Sequence, residues 1–147
     1  MTDTLSAEAV YAQLHKATGG RLFTVTVLDR AAGLARRVYS SHPETYPVSG
    51  TKPMSQGAWT DMVVERGEVF VANTVAEFAI YFPDHAVIES LGCASALNIP
   101  ITQGVVIGTV NILDRAQYFS SQVVNHCLAQ VEARHAPLVS ALKQHAL

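Results

Sequence analysis

Basic clusters are all but missing from this sequence. Arg36-Arg37 is the one adjacent pair, charged residues make up 15% of the 147, and the formal net charge is −2. Phosphate backbones are bound by clustered lysine and arginine, so a nucleic-acid partner is not expected. Long apolar runs are missing too. No segment has the length of a bilayer span, and the opening MTDTLSAEAV has neither a basic start nor an apolar core. Neither a membrane partner nor a signal peptide is therefore expected. Cysteine is scarce: Cys93 and Cys127 lie far apart and outside any C-x-x-C spacing. Reduced thiols and a cytoplasmic location are the expectation. The six histidines show no H-x-H or H-x-x-x-H spacing and no carboxylate cluster beside them, so no metal is expected. A glycine-rich phosphate loop and internal repeats are absent as well.

What is present suits a globular core, since 49% of the residues are apolar. One domain over residues 1–147 is expected. A first helix fits Ala7 to Thr18, with Ser6 as N-cap, Glu8 at the positive end of the dipole and Gly19-Gly20 as the stop. Leu5 and Val10 suit a hydrophobic staple, and Val10, Leu14 and Ala17 share a face. RLFTVTVLD (Arg21–Asp29) alternates, with Phe23, Val25 and Val27 on one side and Leu22, Thr24, Thr26 and Leu28 on the other. LARRVYSS (Leu34–Ser41) returns as its antiparallel partner. From His42 to Gly57 periodicity stops. Tyr46, Val48 and Met54 make this long segment read as an ordered flap rather than a disordered one.

Ala58–Glu68 suits a short helix, VFVANT a short strand, and VAEFAIYFPDHAVIESLG a broken helical segment with Pro83 in the first turn of its second half. SLGCASALNIPITQGVVIGTVNIL then reads as two strands around a turn at Gly104. The last helix starts near Ser120 or Ser121. Val124, Leu128, Val131, His135, Leu138 and Leu142 form a four-three seam, and Pro137 should kink it. The predicted architecture is α/β (α+β), with an antiparallel sheet of about five to six strands and terminal helices available to one face.

Three segments carry a family resemblance: RRVYSSHPETYPVSGTKP; VFVANT followed by FPDHAVIESLG; and CASALNIPITQGVVIGTVNILD, where an S-x-L-x-x-P strand, a turn and a G-T-x-N strand follow one another. Together they resemble a GAF domain over nearly the whole chain. The resemblance implies a central antiparallel sheet, terminal helices on one face, and a pocket on the other roofed by loops and short helices. It implies a small-molecule sensor in signalling. The ligand is left open, because this family takes cyclic nucleotides, tetrapyrroles, haem and many metabolites, and no cofactor is identified. No output domain is expected beside it, and a standalone regulatory unit is the expectation. The free methionine-R-sulfoxide reductases are small GAF proteins of similar size. Their cysteine pattern is not met, because the flap has no cysteine and Cys93 falls too close to Pro100.

The candidate ligand-binding residues are Tyr39, Tyr46, Trp59, His85, Cys93 and Ser95. Aromatic groups with polar tips give contact area and one directed hydrogen bond each. Alternation puts Cys93, Ser95, Leu97 and Ile99 on one face and Ala94, Ala96 and Asn98 on the other. The resemblance favours the first set for the pocket and the second for the terminal helices, although alternation allows the mirror image. Ordinary core packing is the competing reading for Cys93 and Ser95. Asn111 could bond a ligand, although the resemblance implies a structural residue that ties a loop to the sheet, and Lys52 could pair with an anion. Cys93, His85 and Asp84 also supply the residue types of a nucleophile, base and orienting acid, which makes a small enzyme the alternative function. Surplus apolar surface on the terminal helices predicts a two-fold homodimer with His135 buried in the bundle.

Overall fold

Ser6 sits in extended conformation and its hydroxyl accepts from the Ala9 amide, which starts α1 (Ala7–Thr18). Gly19, at φ 76°, ends it with its amide on the His15 carbonyl. The computed structural model describes residues 6–54 and 56–145, so the staple through Leu5 lies outside the described residues. Strands β1 (Leu22–Asp29) and β2 (Leu34–Ser40) follow as an antiparallel hairpin. The flap contributes a short edge strand, β3 (Thr51–Pro53), paired with β2. Next come α2 (Ala58–Thr60), which runs on as a wider π-type turn over Asp61–Glu65, then β4 (Phe70–Ala72), α3 (Val75–Ala79) and α4 (His85–Ser90). The long hairpin β5 (Ser95–Gln103) and β6 (Val105–Asp114) precedes α5 (Ser121–Ala133) and α6 (His135–Lys143).

The six strands form one antiparallel sheet in the order β3-β2-β1-β6-β5-β4. Both faces are covered, so β5 reads as an almost continuous buried run. On one face Phe23, Val25, Val27, Leu97, Ile99, Val110 and Ile112 pack against Tyr11 and Leu14 of α1 and against Cys127, Val131, Leu138 and Leu142. A fully buried Leu or Phe contributes about 1.5–3 kcal/mol, so this layer dominates stability. The other face carries a smaller core of Leu22, Val63, Phe70, Phe78, Ile88, Cys93, Ala96 and Leu113.

The C-terminal segment departs from the expected kinked helix. It breaks outright at Arg134 (φ −111°, ψ 17°), three residues ahead of Pro137. Proline disfavours a helical carbonyl four residues upstream, and placing Pro137 in the first turn of α6 removes that conflict. Leu138 and Leu142 are buried within the chain, and no large hydrophobic residue of α5 or α6 is strongly exposed. His135, expected to be buried between two copies, lies at the surface of the single chain, with Nε2 2.9 Å from the Thr102 carbonyl oxygen. No helix among the described residues is long and apolar enough to cross a membrane.

Candidate functional site

The smaller core is incomplete, and the space it leaves is a cavity of about 700 Å³ between the sheet, the flap and the short helices. Its floor is set by strand parity. Leu22, Thr24, Thr26 and Leu28 alternate away from the terminal helices, as do Thr109, Asn111 and Leu113 of β6. Register aligns these side chains into rows. Thr24, Asn111, Asn98 and Phe70 stand opposite one another across β1, β6, β5 and β4. Arg37, Thr26, Thr109 and Pro100 form the next row across β2, β1, β6 and β5.

A directed hydrogen-bond chain crosses this floor. Trp59, on α2, donates from Nε1 to Asn98 Oδ1 at 3.0 Å. Asn98 Nδ2 donates to Asn111 Oδ1 at 2.9 Å, and Asn111 Nδ2 donates to the hydroxyls of Thr24 and Thr26 at 3.2 and 3.4 Å. An indole N–H can only donate, so Trp59 fixes the orientation of the Asn98 amide, and that amide fixes the next. Around Trp59 the wall is aromatic. Phe82 meets it edge-on at 6.4 Å between centroids and stacks on Phe78 at 5.4 Å, while Phe70 meets Tyr81 edge-on at 5.4 Å.

Charge enters at the rim. Tyr46 of the flap donates its hydroxyl to Asp84 Oδ2 at 2.6 Å, and the Arg37 guanidinium lies 4.9 Å over the Tyr46 ring. Arg37 also donates from Nη1 to the Pro47 carbonyl at 3.1 Å, and its backbone exchanges bonds with Ser49 and Gly50. The flap therefore wraps around this arginine. Burial pushes the Tyr46 hydroxyl pKa up, and the bond to Asp84 raises it further. Burial lowers that of Arg37, with Tyr46 and Asp84 acting against it.

Of the six candidate binding residues, the structure brings Tyr46 and Trp59 to the cavity wall, together with Asp84 from the alternative catalytic set. Tyr39 is on the opposite face, 6.0 Å from Tyr11 and edge-on to Phe23 at 5.8 Å, because it pairs in register with Val25. Ser95 is completely buried and donates to the carbonyls of Asp114 and Arg115 at 3.1 and 2.7 Å. Cys93 is 1% exposed and packs in the smaller core without lining the cavity. His85 stands at the start of α4, half turned to solvent, with Nδ1 3.4 Å from Glu89. The mirror image of the expected parity holds for β5: Leu97 and Ile99 face the terminal helices, and Ala96 and Asn98 face the cavity side.

The nucleophile system is not assembled among these residues. Asp84 serves Tyr46 and His85 serves Glu89. Burial, helped by Asp114 and opposed by Arg21, pushes the Cys93 thiol up to about 11, which leaves it protonated at neutral pH. Asn111 is also corrected. It lies in the floor, and the loop tie falls to Asn73, which donates to the Phe119 carbonyl at 3.0 Å and accepts from the Phe119 amide at 2.9 Å. Arg37, Thr26, Thr109 and Asn98 were not among the candidates, and Asn111 was weighed as a ligand contact only behind a structural role. The signal for Thr26 was the all-polar middle of the Leu22-Thr24-Thr26-Leu28 face. Among the described residues no group of three or more histidine, cysteine or carboxylate side chains could hold a metal ion.

No protein-family model matches the sequence, and no curated protein matches it significantly. Solved structures do. A GAF domain/HD domain protein from Geobacter sulfurreducens superposes with a TM-score of 0.72 at 14% identity, covering 98% of each chain. The GAF domain of a phosphoenolpyruvate-protein phosphotransferase from Acinetobacter gives a TM-score of 0.69 at 14% identity over 95% of this chain and 86% of that one. Its counterpart from Coxiella burnetii gives 0.68 at 20% identity over 96% and 84%. Likeness at these identities is a likeness of architecture, and it extends over nearly the whole length described: this chain has the fold of a GAF domain.

Proposed function

We propose that this chain is a small-molecule-binding sensory domain whose ligand occupies the cavity over Asn98 and Asn111. One observation carries the reading. A polar network of fixed orientation lies on the floor of a space walled by aromatic side chains, and polar groups are kept in such a place at a cost that a purely structural face would avoid. A pocket with much apolar wall and a few convergent polar groups is the usual form of a ligand site. The flap is the part placed to respond, since Tyr46 joins it to α4 across the mouth. Ligand binding would then change the surface formed by the flap and α4, which is how a module of this kind reports occupancy.

The test is to purify the chain, denature it, and identify released small molecules by mass spectrometry. Amide shifts of Asn98, Asn111 and Trp59 are then followed by NMR as the released molecule is added back. A stoichiometric molecule that moves these signals supports the reading. A chain that carries no molecule and shows no shift across a broad metabolite set overturns it.

A further inference from the structure

The cavity's hydrogen-bonding polarity is fixed from one end. Trp59 can only donate, so Asn98 and Asn111 each present an oxygen towards it and an NH2 group away from it. The chain ends on Thr24 and Thr26, whose oxygens accept from Asn111, so their hydroxyl protons are left to donate elsewhere. Among the described residues neither hydroxyl proton has an acceptor. Thr109 beside them is 3% exposed, and its hydroxyl has no protein partner among those residues. Thr26 and Thr109 stand in the same cross-strand row as Arg37, whose guanidinium has no carboxylate within 4.0 Å among the described residues. Among the described residues of the lining Lys52 is the second cation and Asp84 the one carboxylate, which gives a net charge of +1 (two cations less one anion).

We infer that the cavity takes a small organic monocarboxylate with a flat apolar body, its carboxylate seated across the Arg37–Thr26–Thr109 row and its body against Trp59 and Phe82. This deepens the proposed function and rests on it. A carboxylate accepts from several donors at once, and a guanidinium and hydroxyls are donors of the kind it takes. The single net positive charge matches a monoanion. A phosphate monoester would bring a second negative charge to a wall that already holds Asp84, and the sequence has no glycine-rich phosphate loop to hold it.

Matched pairs test this: benzoate and benzamide, phenylacetate and phenylacetamide, indole-3-acetate and its amide, with phenyl phosphate alongside, each read by thermal shift and calorimetry on the full chain. At least one carboxylate is expected to raise Tm by about 5 °C at a hundredfold excess over its Kd, with its amide at least tenfold weaker. Thr109→Val should weaken that carboxylate roughly tenfold or more while leaving the free chain folded, because the lost bond is one to a charged group. Arg37→Gln should do the same with a larger loss. Amides binding as well as their acids, phenyl phosphate binding better, or a Thr109→Val chain with unchanged affinity overturns the carboxylate and leaves the cavity reading intact. Silence from every pair also overturns it. If a neutral molecule is then released on denaturation, the sensory reading survives; if nothing is released, both fall.

Discussion

Tyr46 donates its hydroxyl to Asp84 Oδ2 at 2.6 Å, and this bond joins the flap to the N-terminus of α4 across the mouth of the cavity. Its ring also carries the Arg37 guanidinium. Tyr46→Phe keeps the ring and removes only the latch. The expected loss of global stability is about 1 kcal/mol, since the bond is charge-assisted but open to solvent. Amide exchange should quicken across residues 43–50 and in α4, and stay unchanged in β5 and β6. Uniform quickening throughout the sheet would show that the hydroxyl supports the whole core and does not act as a local latch.

The two kinds of hydroxyl in the sheet should separate in a stability measurement. Ser95 is buried with two carbonyl partners, and Thr109 is buried with none among the described residues. Ser95→Ala strands those carbonyl bonds and should cost about 1–2 kcal/mol. Thr109→Val replaces an unpaired hydroxyl by a methyl of similar shape, and should leave stability unchanged or raise it by up to about 1 kcal/mol. Urea unfolding of both variants checks this, and a Thr109→Val loss equal to that of Ser95→Ala would show a partner for the hydroxyl.

Cys93 bears on both chemistry and pH. Its thiol is raised from 9.0 to about 11, chiefly by burial. A group whose folded pKa is raised holds its proton more tightly in the folded state. Its contribution is therefore fully present below pH 9 and is lost as pH climbs from 9 to 11. Cys93→Ala should flatten the fall in stability over that window. At pH 7 a thiol held at about 11 carries about a hundredfold less thiolate than one at 9.0, so iodoacetamide should label native Cys93 at least that much more slowly than the unfolded chain. Rapid labelling of native Cys93 would instead revive a nucleophilic role.

Much of the fold was legible because local signals agreed. Ser6 and Gly19 bound α1 where the capping pattern puts them, and the alternation in β1 and β6 is the alternation observed. The site was harder to read. A period of two divides a strand into two faces and is silent on which face is roofed, so Asn98 and Ser95 exchanged places in the reading. Cys93 misled further, because it lies in the loop before β5, where strand parity does not hold. The break at Arg134 depends on α6 finding α1 and β5, contacts that lie far away in sequence. Arg37 stands beside Thr26 in the plain register of the hairpin, while the shift between Val25 and Thr26 acts beyond that pair and brings Tyr39 opposite Val25, on the face of the terminal helices.

Gly108 offers the sharpest test of how the terminal layer sits on the sheet. A Cβ there would lie 2.6 Å from the Thr26 carbonyl oxygen and 3.0 Å from Leu142 Cδ1. The leucine can turn, but the carbonyl belongs to the neighbouring strand and can yield only if β1 and β6 move apart. Gly108→Ala should therefore cost about 1–3 kcal/mol, the usual range for overpacking, even though its backbone conformation suits alanine. Leu142→Ala alone opens a cavity over β6 and should cost about 2–5 kcal/mol. In the double variant the new methyl partly fills that cavity, so the combined loss should fall short of the sum by at least 0.5 kcal/mol, the scale of coupling between touching residues. Denaturant unfolding of the four proteins closes the cycle. Strict additivity would mean that α6 does not rest on Gly108, and the packing of the terminal helices described above would have to be redrawn.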